Sequence, residues 1–186
     1  MLILVRHGRT SANAAGVLQG RSDLPLDEVG MAQAVAAAAA VGPIDRVVSS
    51  PLRRARETAA RFGQAVAIDE RWVEIDYGEY EGRPMREVPD DEWLRWRTEK
   101  HYVSSGGESL GQVEARVRDA CEELAADAVN RNVVVVSHVS PIKAAVAWAL
   151  GVDVLVAWRC HLDQAAICRV AIRSDGPVLM SFNESP

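Results

Sequence analysis

Positive charge is in short supply in this chain. Its 186 residues carry 21 Lys and Arg against 26 Asp and Glu, a net charge of −5, and the pI is about 5.4. Nucleic-acid binders are usually basic, so the balance argues against that class, although it does not forbid a local basic pocket. Cysteine is scarce as well. Cys121, Cys160 and Cys168 are odd in number and form no C-x-x-C pair, so a reduced, cytoplasmic setting is expected. Long apolar runs are missing. The run after Met1 stops at Arg6 and His7, too early for the h-region of a signal peptide. The Ala-rich segment from Ala34 to Val41 is too short to span a bilayer, so no membrane partner is expected. There is no internal repeat and no long linker.

What is present is ordinary for a globular protein: 48% hydrophobic and 25% charged residues, in a length that suits one domain with a sizeable core. Short β-branched runs alternate with helical patterns. Strands are predicted at Leu2 to Val5, Asp45 to Ser50, Val66 to Asp69 and Val133 to His138, with two more around the Asp175-Gly176 turn. Helices are predicted at Leu26 to Val41, capped by Asp27 and ended by Gly42-Pro43, and at Pro51 to Phe62, with Pro51 in the first turn. Others run from about Glu92 to Thr98, Ser109 to Ala128 and Pro141 to Leu150. Residues 76–107, rich in Gly, Pro and charge and holding Trp93 and Trp96, read as an excursion from this core.

Strand–helix alternation implies a mostly parallel sheet with helices on both faces. Such sheets place ligands beyond the C-terminal ends of their strands. The first strand ends in Arg6-His7-Gly8. The second ends in Ser49-Ser50, followed by Arg53, Arg54 and Arg56. The strand from Val133 ends in Ser137-His138. If these strands are neighbours, two imidazoles and at least two guanidiniums share a pocket. That set suits phosphoryl transfer. Guanidinium donors match phosphate oxygens, a neutral imidazole can carry the phosphoryl group, and a second can donate to the equatorial oxygens. Gly8 would let backbone approach the phosphate. A lone histidine after a strand is more often a satisfied core or surface residue, and Arg53-Arg54 alone reads as a solvated helix face. Their joint placement at strand ends favours the site.

The blocks "LVRHGRTSAN", "SSPLRRARETA", "EIDYGEYEG", "GGESL" and "VVVVSHVSPIKA", in this order over almost the whole chain, resemble the histidine phosphatase superfamily. The resemblance implies a phosphoglycerate mutase-like fold: a single three-layer α/β domain over residues 1–186, with a small lid-like excursion at about 76–107. It implies that His7 becomes phosphorylated and that Arg6, Arg54 (rather than Arg53) and His138 bind the phosphoryl group. Thr10 and Asn13 match polar positions lining the site. Glu74 matches the acid/base carboxylate, kept protonated by the pocket. Arg21, Tyr77 and Arg86 are further substrate-contact candidates. For Arg21, Arg83 and Arg86 solvated charge is the stronger reading, and for Asp76 a turn or capping role. His161 and Asp163 lack supporting metal-ligand spacing, and the chemistry needs no metal or other cofactor. The implied partner is a small phosphorylated substrate, and a homodimer is compatible with the pattern.

Arg9 stands where Glu or Gln is usual, and Val139 where Gly is common. The chain is short where mutases carry insertions, which favours hydrolysis. The alternatives are mutase-type transfer, a signalling protein phosphatase and a non-catalytic phospholigand-binding module.

Overall fold

A computed structural model describes all residues, 1–186. Six strands form one sheet in the order β3-β2-β4-β1-β5-β6. They are β1 (Leu2–Arg6), β2 (Arg46–Ser49), β3 (Val66–Ile68), β4 (Val133–Ser137), β5 (Ile167–Arg173) and β6 (Gly176–Glu184). The first four are parallel, and β5 and β6 add an antiparallel edge.

The two central strands, β1 and β4, are apolar up to their last residue because both faces are covered. Leu2 and Leu4 of β1 and Val133 and Val135 of β4 belong to the larger core, under α5 (Leu110–Ala128) and α6 (Val139–Leu150). The alternating residues Ile3, Val5, Val134 and Val136 belong to the opposite core. There they face α2 (Glu28–Val41) and α3 (Arg53–Ala59). α2 buries Gly30, Ala34, Ala37 and Val41, one stripe at helical spacing.

Most boundaries follow local chemistry. The Asp27 side chain accepts the Gly30 N–H at 2.8 Å, as expected of a cap. Ser109 and Gln112 form a capping box at the start of α5. Two helices depart from expectation. α3 begins after Pro51 and Leu52 and turns into a 3-10 segment at Ala60–Phe62. α6 begins at Val139, so Pro141 lies in its first turn, where its missing N–H costs nothing. The short α1 (Ser11–Ala14), capped by Thr10, was not anticipated.

Residues 76–107 hold 3-10 turns at Gly78–Tyr80 and Met85–Glu87 and the helix α4 (Asp90–Thr98). They pack through a small cluster of Leu18, Val88 and Trp96.

Candidate active site

The register assembles the site. Arg6 of β1 lies opposite Ser137 of β4, and Val136 of β4 opposite Ser49 of β2. β1 and β4 therefore end level and β2 ends one residue earlier, and the residues that follow, His7, His138 and Ser50, emerge close together. The His7 N–H donates to the Ser137 carbonyl at 3.0 Å. The His7 carbonyl accepts the N–H of Ala165 at 3.2 Å. Ala165 holds φ at 59°, a left-handed value that residues with a Cβ seldom adopt.

A cavity of about 280 Å³ opens over these strand ends. Arg6, His7, Asn13, Arg54, Glu74 and Tyr77 line it. His7 is 3% exposed, and its Nδ1 lies 2.7 Å from the Gly8 carbonyl. A carbonyl only accepts, so Nδ1 carries the proton and Nε2 keeps its lone pair. Arg54 donates its Nε–H toward that nitrogen at 3.3 Å. Burial, reinforced by Arg54 and Arg6, pushes His7 well below the usual imidazole range.

Arg54 is held by carbonyls of the loop after β1, Ser22 at 2.6 Å and Gly20 at 2.7 Å. Its neighbour Arg53 points to solvent and pairs with Glu57. Arg6 donates Nη1 to the Leu162 carbonyl at 2.6 Å. The His138 ring centroid lies 5.0 Å from that of His7. His138 is fully buried behind the cavity lining, and its Nε2 lies 2.7 Å from Ser50 Oγ. Burial and the nearby Arg54 lower its pKa well below the usual value. Arg6 Nε and His138 Nδ1 are buried without a hydrogen-bond partner. Such atoms in a native fold call for an acceptor.

Glu74 is 7% exposed, and backbone donors reach it. Its carboxyl oxygens accept the backbone N–H groups of Ile75, Val139 and Ser140 at 2.9, 3.2 and 3.2 Å. Val139 thus places its N–H on Glu74 from an ordinary helical position while its side chain lines the cavity. Burial, with the Glu74 charge, pushes the Tyr77 phenol above its usual range.

Several expected contacts lie elsewhere. Thr10 is fully buried and off the cavity surface. It caps α1, and its hydroxyl lies 2.8 Å from Oε1 of Gln19, which does line the cavity. Arg21 lies outside the lining, near Glu108 and Asp76. Arg86 is 78% exposed and faces Glu87, because the turn carrying it directs it to solvent. Trp93 rather than Trp96 reaches the cavity, and Trp96 is buried in the small cluster beneath. Asp76 accepts the Gly78 N–H at 2.8 Å, a turn role. His161 pairs with Asp163 at 2.9 Å on the surface. Arg9 points away, to Asp27. Gly8 serves packing: a Cβ there would come 2.3 Å from the Gly30 carbonyl oxygen, and its N–H is already given to Thr58. Gln19, Gln164 and Trp158 were missed, as was the contact of the strand-end Ser50 with His138. The first three belong to loops or short turns, where no periodicity marks a buried face.

The family model for the histidine phosphatase superfamily (branch 1) matches residues 2–185. The chain belongs to that superfamily. It is 35% identical over 192 residues to phosphoserine phosphatase 1 of Hydrogenobacter thermophilus, covering 98% of this chain and 91% of that one. It is 37% identical over 185 residues to a bifunctional protein of Mycobacterium tuberculosis. That match covers 94% of this chain and 51% of the relative, so the chain spans about half the length of that relative. Among solved structures, a mutant phosphoserine phosphatase of Entamoeba histolytica in complex with phosphoserine superposes with a TM-score of 0.91 at 29% identity. It covers 99% of this chain and 96% of that one. A mycobacterial glucosyl-3-phosphoglycerate phosphatase complexed with VO3 gives a TM-score of 0.90 at 32% identity, over 99% and 98%. The three-layer fold expected of this superfamily is the one observed. No helix is long and apolar enough to cross a membrane.

Proposed function

We propose that this chain hydrolyses small phosphomonoesters through a phosphohistidine on His7. The observation that carries the reading is the His7 ring itself. Its Nδ1 proton is held by the Gly8 carbonyl, and its Nε2 lone pair faces the cavity with only the long 3.3 Å contact from Arg54 Nε–H on it, which an incoming phosphoryl group would displace. A neutral, oriented imidazole at the base of a cationic cavity is a nucleophile for phosphorus.

In the first step Nε2 forms the P–N bond as the ester P–O bond breaks in line. Arg6 and Arg54 carry the charge on the equatorial oxygens. The unpartnered Arg6 Nε and His138 Nδ1 supply donors for the same oxygens. Glu74 gives its proton to the leaving alkoxide. In the second step it takes a proton from the water that attacks phosphorus, and the P–N bond breaks. His7 and Glu74 return to their starting states. Asn13 and the Gln19 amide offer polar contacts at the rim, with Tyr77 as a wall.

The two guanidiniums supply the positive charge this transfer needs, so we read the reaction as metal-independent, with activity surviving EDTA. Three free cysteines support a reduced, cytoplasmic setting. A homodimer, compatible with the family pattern, is read by sedimentation. Rapid quench with a ³²P-labelled ester tests the central claim. Acid-labile, base-stable label should form on the wild type and vanish in a folded His7→Ala variant. Labelling that persists in the variant refutes the assignment. Release of free phosphate rather than an isomeric ester separates hydrolysis from mutase-type transfer.

A further inference from the structure

The cations around His7 serve the phosphoryl site and its anchors. Both terminal nitrogens of Arg54 and Nη1 of Arg6 are tied to backbone carbonyls. The outer wall of the cavity is apolar: Val17, Leu18, Met85 and Trp93. Beyond Tyr77, Val139 and Trp158, which border both spaces, lies a recess of about 50 Å³ whose wall includes Lys143. Lys143 is on α6, one turn after Val139 and on the same face.

The chain has two lysines. Lys100 is paired with Glu114 and Asp153. Lys143 is half-buried, and its ammonium makes neither a hydrogen bond nor a salt bridge. Burial lowers its pKa, opposed by Cys160 and Glu74 and reinforced by Arg6. The field of the catalytic cavity therefore reaches it. Withdrawing an ammonium from water without a counter-ion is costly, and nothing in the packing of α6 uses the charge.

We propose that Lys143 is a specificity-determining residue that binds a second anionic group of the substrate, a carboxylate, in this recess. The phosphoryl group meanwhile lies between Arg6, Arg54 and His7; the inference rests on that reading of the site. A recess of this size admits a carboxylate-sized group beside a few water positions. It would make the protein prefer phosphomonoesters that carry a carboxylate over neutral or amine-bearing ones.

The test compares O-phosphoserine with phosphoethanolamine, which differ by the carboxylate alone. Lys143→Met keeps the aliphatic stem and removes the charge, and Lys143→Arg retains a cation. For Lys143→Met, kcat/KM on phosphoserine should fall about 10–100-fold, the usual scale for a charge-assisted hydrogen bond. The loss should lie mainly in KM, phosphoethanolamine should change less than about twofold, and Lys143→Arg should recover part of the loss. Equilibrium binding of both esters to His7→Ala, with and without Lys143→Met, reads the same preference without turnover. Equal losses on both esters, or no loss on either, would overturn the assignment. Phosphohistidine labelling with nitrophenyl phosphate keeps the two readings apart. If Lys143→Met still labels while the carboxylate preference is unaltered, only the specificity inference falls; if the wild type never labels, the catalytic reading falls.

Discussion

Oε1 of Glu74 accepts the backbone N–H of Ser140 at 3.2 Å. The carboxyl proposed to move the proton is thereby fastened to the helix that begins directly after His138. Oε2 accepts the N–H of Val139 in the same way. The tie holds the segment from Trp72 to Asp76 against the first turn of α6 and fixes where the carboxyl can point.

Glu74→Gln removes the transferable proton and, because an amide has one acceptor oxygen, one of these anchors as well. Phosphorylation by alkyl phosphates should slow by about 10²–10⁴. Nitrophenyl phosphate needs less protonation of its leaving group and should lose much less. Single-turnover rates on both substrates separate a proton-transfer loss from a positional one, which would slow both equally. Asp76→Asn should leave both rates close to wild type, since Asp76 is turned toward Gly78.

Ser50 sets the tautomer of His138. Its Oγ accepts the Leu52 N–H at 3.3 Å and lies 2.7 Å from His138 Nε2, to which it is expected to donate its one proton. That leaves the proton of the neutral ring on Nδ1. Ser50→Ala should reduce kcat roughly 10–100-fold, on the scale of an unmade buried hydrogen bond, with little change in KM. ¹⁵N spectra should report Nδ1–H in the wild type and a tautomer mixture in the variant. A pure Nε2–H signal in the wild type contradicts this account.

Gly8 and Gly30 bring two backbones into contact. A Cβ on Gly8 would lie 2.3 Å from the Gly30 oxygen, and one on Gly30 would lie 2.0 Å from the Arg9 oxygen. Each Gly→Ala change should cost about 1–3 kcal/mol, the usual range for overpacking. Because both relieve themselves by the same parting of the loop and α2, the double variant should lose less than the sum. Denaturation midpoints of the four proteins give the answer, and strict additivity would show that the two sites do not share one contact.

His7 and His138 are buried as neutral rings, with folded pKa values well below the ordinary 6.5. Between 6.5 and those folded values the unfolded chain binds more protons than the folded one. Stability should therefore fall as pH drops below 6.5, by about 1.4 kcal/mol per pH unit for each ring. Urea unfolding at several pH values should show a slope that His138→Asn lowers by one such increment. An unchanged slope would mean that His138 is not held neutral by the fold.

Trp93 lines the cavity, while Trp96 packs the cluster beneath it. Their ring centroids are 5.2 Å apart. Trp93→Ala should reorder substrate preference across a panel of phosphomonoesters with little loss of stability. Trp96→Ala should instead cost about 3–5 kcal/mol, as large aromatic truncations in a core do, and lower all rates together. The reverse pattern would exchange their roles.

Much of this protein was legible in the sequence because its strands are short and apolar throughout and its helices carry local stop and start signals. "LILV" and "VVVV" mark doubly covered strands, and Asp27 and Ser109 mark helix starts through bonds made within a turn. Arg6, His7, Arg54, Glu74 and His138 stood out in the same way, by their place at strand ends and in the ordered blocks. What the sequence could not decide is direction. Thr10 turns inward to hold Asn13 and Gln19, Arg86 turns to solvent, and Trp93 takes the position that Trp96 shares equally in the pattern. Ser50 and Lys143 acquire their meaning only when β2, β4 and α6 meet. Secondary structure is governed by hydrogen bonds and side-chain contacts a few residues apart, so it is written locally. Which face of a loop or short helix meets the cavity depends on strand register and on contacts between residues tens of positions apart, and only the tertiary structure determines those.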